Sequence, residues 1–133
     1  MKKSFLTTLC VGIFMMLSVT SCFSTTNMLQ YSGMIPSDVT TAEVQQSIKD
    51  AAAKRDWILK DLGNNSYEAT YIARGHSIKV NISYTRSNYE ISYVSSTNME
   101  YNPTEGTIHR NYNRWVNNLK HDIDIGLLQA SAR

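Results

Sequence analysis

Cysteine is nearly absent. The 133 residues hold two, Cys10 and Cys22, too few for the disulfide framework that braces many small secreted domains. Proline is equally rare: Pro36 and Pro103 leave long stretches in which helices and strands can propagate. Histidine occurs three times, at His76, His109 and His121, and never at the His-x-x-x-His spacing of a helical zinc pair. No glycine-rich phosphate loop occurs, since "GNNS" at 63–66 is a turn, and nothing has the Gly-x-Ser-x-Gly form of a nucleophile elbow. Charge of one sign is lacking too, with 13 Lys and Arg against 11 Asp and Glu, so no basic surface for nucleic acid is expected. The one long apolar run, Phe5 to Val19, falls short of the roughly 20 residues that span a bilayer.

That run sits inside an opening that has its own meaning. MKKSFLTTLCVGIFMMLSVTSC places a charged Lys2-Lys3 before the apolar stretch, which is the pattern of a secretory signal. Its last four residues, Val19-Thr20-Ser21-Cys22, resemble a bacterial lipobox. The resemblance implies removal of residues 1–21 and acylation of Cys22 on its thiol and freed amine. At about 0.8 kcal/mol for each buried CH₂, two or more chains anchor stably. Phe23 stands where Asp would favour inner-membrane retention, so the expected location is the outer membrane, facing the periplasm. The bilayer, through Cys22, is thus the first expected partner. Cleavage takes Lys2 and Lys3 away and leaves eleven basic residues against eleven acidic ones. It also removes Cys10. With Cys22 acylated, no thiol remains as a nucleophile or for a disulfide within the chain, and stability must come from a packed core.

Residues 22–37 read as the lipidated cysteine and a tether, with Phe23 to Asn27 flexible and a short edge strand possible over Leu29 to Ile35. Residues 38–133 read as one domain. Its first helix is announced by Thr40 and Glu43 as a capping box and by Val39 and Val44 as a staple. Val44, Ile48, Ala51 and Ala52 share one face, and the helix should end near Arg55. Trp57 to Leu62 is a strand with Trp57 and Leu59 inward, turned at Gly63-Asn64-Asn65. Three alternating segments follow, built on Tyr67/Ala69/Tyr71/Ala73, Ile78/Val80/Ile82/Tyr84 and Tyr89/Ile91/Tyr93, with Lys79, Asn81, Ser83, Glu90 and Ser92 on a wet face. A two-residue loop at Arg74-Gly75 sets Tyr71 opposite Ile78 and Ala69 opposite Val80. A four-residue loop over Thr85 to Asn88 sets Tyr84 opposite Tyr89 and Val80 opposite Tyr93. Ile108, Tyr112, Trp115, Val116, Leu119, Ile123 and Leu127 then fall at helical spacing, predicting a helix from about Thr107 to Gln129 with Tyr112 and Trp115 in the core. The fold class is α+β: a two-layer sandwich, α-β-β-β-β-α, in which a four-stranded antiparallel meander carries both helices on one face.

This topology gathers polar residues at one end of the sheet. Arg74, His76, Asn98, Tyr101, His109, Asn111 and Arg114 should share a rim around the start of the third strand and of the last helix. The helix N-terminus there favours an anion, so the expected ligand is small and acidic or sugar-like. No catalytic residues, metal ligands or cofactor are assigned. His121, Asp122 and Asp124 read as the solvated side of the last helix.

Three blocks, "ARGHSIKVNISY", "YEISYVSSTNMEY" and "GTIHRNYNRWVNNL", resemble a family of small Gram-negative lipoproteins that share Arg-x-His before the third strand and Tyr-Asn-Arg-Trp on the last helix. The resemblance spans roughly residues 40–125. It implies a lipoprotein of this fold and no particular activity. The functional expectation is a membrane-anchored binding or adaptor domain for an envelope protein or cell-wall component. The alternative is an envelope hydrolase working from His76 and His109.

Overall fold

The computed structural model describes residues 24–133. The expected signal sequence, the expected lipobox and Cys22 lie outside the described residues. The elements run β1 (Thr25–Asn27), β2 (Tyr31–Met34), α1 (Thr41–Lys54), β3 (Ile58–Gly63), β4 (Ser66–Ala73), β5 (His76–Tyr84), β6 (Asn88–Thr97), β7 (Thr107–His109) and α2 (Asn111–Ser131).

Helix α1 starts as its sequence dictates. The Thr40 hydroxyl accepts from the Glu43 amide at 3.3 Å, and the Glu43 carboxylate accepts from the Thr40 amide at 2.8 Å, which satisfies two amides that have no partner inside the helix. Val44, Ile48, Ala51 and Ala52 are buried. The strands pair antiparallel with the expected partners: Tyr71 with Ile78, Ala69 with Val80, Tyr84 with Tyr89 and Val80 with Tyr93. One bulge interrupts β6. Lys79 faces Ser95 while Val80 faces Tyr93, so Val94 is the extra residue, and it is exposed. Leu59 lies opposite the fully buried Ala69, Trp57 is buried and Ile58 is exposed, as the inward assignment of Trp57 and Leu59 requires. Buried residues of the sheet, such as Tyr67, Ile78, Ile82, Tyr89 and Ile91, join those of both helices in one core. The opposite face stays open, with Lys79 and Glu68 paired across it at 3.1 Å.

The architecture is α+β, but the sheet differs from the expected four-stranded meander. It has five strands in the order β2-β6-β5-β4-β3, and β1 and β7 form a second, two-stranded sheet. Strand β2 adds itself beside β6 because Tyr31 is worth burying and Gly33 lies opposite Tyr89. A Cβ on Gly33 would come within 2.4 Å of the Tyr89 ring, so the ring lies across that glycine backbone. The Tyr89 hydroxyl donates to Asp124 on α2, locking the ring in place.

The flexible segment expected up to Asn27 is not one over its last three residues: Thr25–Asn27 pairs with Thr107–His109. For the same reason α2 begins at Asn111 rather than Thr107. Ile108 is fully buried, but it reaches the core from a strand. A four-residue gap from Ile108 to Tyr112 fits a helix and equally fits a strand residue aimed at the same core, so spacing alone could not separate them. The helices approach closely where a Cβ on Gly126 would lie 3.0 Å from the Ser47 side chain.

Asp122 corrects the reading of α2's polar side. It is 6 % exposed and accepts from Arg55 Nε at 2.6 Å and Lys54 Nζ at 3.2 Å. These cations end α1, so the pair ties the C-terminus of one helix to the middle of the other. The Arg55 hydrogen bond holds the Asp122 carboxyl below the usual carboxylate range, against the opposing effect of burial.

Candidate functional site

The Tyr-Asn-Arg-Trp run at the start of α2 divides its tasks by helical geometry. Tyr112 is fully buried. Asn113 turns the other way and clamps the N-terminal segment, its amide donating to the Asn27 carbonyl at 2.8 Å and its oxygen accepting from the Leu29 amide at 3.0 Å. Arg114 and Trp115 face a groove. Trp115 is therefore not the core residue its spacing suggested. It is only partly buried and packs on the core from the side. Because α2 starts four residues later than expected, it leaves this end of the sheet uncovered.

The groove is two adjoining clefts. One, of about 370 Å³, is lined by Arg55, Trp57, Tyr71, Arg114, Trp115 and Asn118. The other, of about 300 Å³, adds Ala73, Arg74, His76, His109 and Asn111 to the shared Tyr71, Arg114 and Trp115. A continuous run of rings joins them. Centroids lie 5.2 Å apart from Trp57 to Tyr71, 4.9 Å from Tyr71 to Trp115, 6.5 Å from Trp115 to His76 and 5.4 Å from His76 to His109. These separations are those of packed aromatic pairs.

Electrostatically the groove is one-sided. Among the described residues, no carboxylate lines either cleft. Arg55 is already neutralised by Asp122. Arg74 and Arg114 take part in none of the ion pairs among the described residues, so two guanidinium forks remain for an outside anion.

The two histidines present opposite hydrogen-bonding faces. His76 Nδ1 lies 2.6 Å from the Asn98 carbonyl. A carbonyl only accepts, so Nδ1 carries the proton and the neutral ring keeps a lone pair on Nε2. His109 Nδ1 accepts from the Asn111 amide at 3.2 Å, so its neutral ring carries the proton on Nε2. The adjoining rings thus offer one acceptor and one donor. The His109 contact also serves an amide at the start of α2, where Arg110 supplies no side-chain cap.

Arg74 sits in a left-handed conformation, φ 50°, beside Gly75 at φ 80°, which makes the Arg-Gly loop a type I′ turn. The other two-residue hairpin loop uses Asn64 and Asn65 at φ 51° and 57°, residues that tolerate this region well. An arginine there works against local preference.

Of the seven rim residues expected from the sequence, Arg74, His76, His109, Asn111 and Arg114 line one cleft. Asn98 stands behind them, its carbonyl holding His76 and its amide donating to Gly75 at 3.4 Å. Tyr101 is elsewhere, packed at a tilt against Tyr93 with ring centroids 4.3 Å apart. Sequence reasoning missed Trp57, Tyr71, Trp115, Arg55 and Asn118 as groove residues. The aromatics alternate or recur as core residues do, and no local signal marks the end of a sheet that a helix leaves bare. No group of three or more potential metal ligands comes together among the described residues, and no helix there is long and apolar enough to cross a membrane. Comparison with protein-family models, curated proteins and solved structures finds no match.

Proposed function

We propose that the chain is a cell-envelope lipoprotein, held at the outer membrane through acylated Cys22, whose folded domain is a binding module for an acidic saccharide of the envelope. The observation that carries the reading is the groove without carboxylates, in which Arg74 and Arg114 flank a floor of Trp57, Tyr71 and Trp115. Sugar rings present C–H faces that pack on aromatic rings. Carboxylate or phosphate groups match arginine forks. The opposed histidine faces suit hydroxyls, which both donate and accept.

Both tryptophans of the chain, Trp57 and Trp115, line the groove, so selectively excited tryptophan emission reports its occupancy. Titration of the mature Cys22→Ser chain with an acidic oligosaccharide, an oligogalacturonate, is expected to change the emission, while neutral chitotriose does so far more weakly. Arg74→Ala and Arg114→Ala each remove a charge-assisted contact of about 1.5–3 kcal/mol and should weaken binding tenfold or more. Equal response to both sugars, or indifference to both substitutions, would reject the reading. Crosslinking from the rim that captures an envelope protein and no glycan would redirect it to an adaptor. Fractionation of cells tests the anchor: the native chain should sediment with outer membranes and the Cys22→Ser chain should not.

A second reading, a hydrolase, draws on the same histidine pair, one ring placed to accept a proton and its neighbour to donate one. It predicts shorter products when the acidic oligosaccharide is incubated with protein, abolished by His76→Gln.

A further inference from the structure

We infer that the groove takes a saccharide carried by the membrane itself, the phosphorylated sugar headgroup of a glycolipid in the leaflet that holds the anchor. This rests on the reading of the groove as an acidic-saccharide site and on the acylation of Cys22, and it adds where the saccharide is found.

The Ser24 carbonyl already accepts from the Arg110 amide at 2.8 Å, the Ser24 hydroxyl is bonded to Glu100, and Thr25 pairs with His109. Only Phe23 separates this fixed point from Cys22. Two residues of extended chain cover at most about 7 Å. A domain acylated at Cys22 therefore does not hang on a long tether, and its β1–β7 corner is drawn down to the bilayer surface.

His109, the partner of Thr25 in that corner, is itself a groove ring, packed at a tilt against His76 with centroids 5.4 Å apart. The groove thus begins at the anchored corner. A glycan strand far from the bilayer would be out of reach, while a headgroup projecting from it would not.

Tryptophan and tyrosine settle at headgroup depth, where one edge of the ring is wet and the rest is not, and arginine is drawn to anionic leaflets. General adhesion to any anionic surface is not expected, because the chain after Cys22 balances eleven cations against eleven anions and Glu100 and Glu105 stand on the loop beside the same corner. Selection falls to the groove, whose rings and opposed histidines ask for a sugar and whose arginines ask for phosphate.

The test uses the mature Cys22→Ser chain and its tryptophan emission, with co-sedimentation as a second readout. Phosphatidylcholine vesicles carrying a phosphorylated glucosamine glycolipid should bind the protein and shift the emission. Vesicles with phosphatidylglycerol at equal surface charge should bind about tenfold more weakly. Soluble N-acetylglucosamine 1-phosphate should compete, inorganic phosphate much less. Arg114→Ala, at an exposed position outside every ion pair among the described residues, should lower glycolipid binding by about tenfold with the melting temperature expected to stay the same. Equal binding to the phosphatidylglycerol vesicles would overturn the inference in favour of a general anionic surface. Binding of the soluble sugar phosphate or the acidic oligosaccharide without binding to glycolipid vesicles would also overturn it while leaving the saccharide site intact. Failure of every ligand would remove both.

Discussion

Arg74 is where local energetics and the groove pull in opposite directions. Its left-handed backbone costs about 1 kcal/mol against residues that accept this region, and strain of this kind gathers where a side chain is needed for something besides folding. Arg74→Asn is expected to raise the unfolding free energy by up to about 1 kcal/mol and to weaken the acidic ligand, measured by denaturant titration and tryptophan emission on the same variant. A variant less stable than the parent would show that the turn is not strained. Asp122 makes the second residue-scale prediction. Its carboxyl titrates below its ordinary value in the folded chain, so its contribution is complete above about pH 4 and fades as the pH falls through the lowered value. Its partners Arg55 and Lys54 remain partly or well exposed and can rehydrate, which limits the cost of Asp122→Ala to about 1–2 kcal/mol at neutral pH. Asp122→Asn should flatten the acid limb of a stability-versus-pH curve. An unchanged limb would place the acid sensitivity elsewhere.

Two elements depend on contacts made by single side chains. Strand β2 is an edge of the sheet, held through Tyr31 against β6 and through Gly33 beneath the Tyr89 ring. That ring cannot swing away without breaking its hydroxyl contact to Asp124. Gly33→Ala should therefore cost about 1–3 kcal/mol, as overpacking does, read as a drop in the denaturant midpoint. The N-terminal segment hangs on Asn113, which bonds both Asn27 and Leu29. With Asn113→Ala, hydrogen exchange at the Leu29 amide should accelerate strongly while amides in β4 and β5 keep their protection. Loss of protection throughout would mean the clamp is part of the cooperative core. The capping box and the alternation of β4, β5 and β6 were legible in the sequence because each depends on neighbours a few residues away. The β1–β7 pairing was not, since it joins residues about eighty positions apart with no pattern of their own.

For the whole molecule, the proposed removal of residues 1–21 would leave Cys22 as the one cysteine, and the fold would then stand on its core alone. Thermal unfolding of the mature chain should be the same with and without reductant. A dependence on reductant would reveal a covalent link between chains through an unacylated Cys22. The two helices join the core on one face of the sheet, and α2, starting at Asn111, leaves Tyr71, Trp115 and the two histidines along an open groove. The groove is the result of that incomplete cover.

Local chemistry written in the sequence determined the helix start at Thr40, the hairpin registers, the inward face of each central strand and the gathering of five rim residues, because caps, two-residue turns and period-two alternation act over short distances. Tertiary structure alone decided which aromatic residues became core and which became groove, that Asp122 would be buried, and that Ser24 and Thr25 would be pinned beside Arg110 and His109. Those outcomes depend on where one element stops covering another. That boundary is set by packing between residues far apart in the chain, and no periodicity within a single segment contains it.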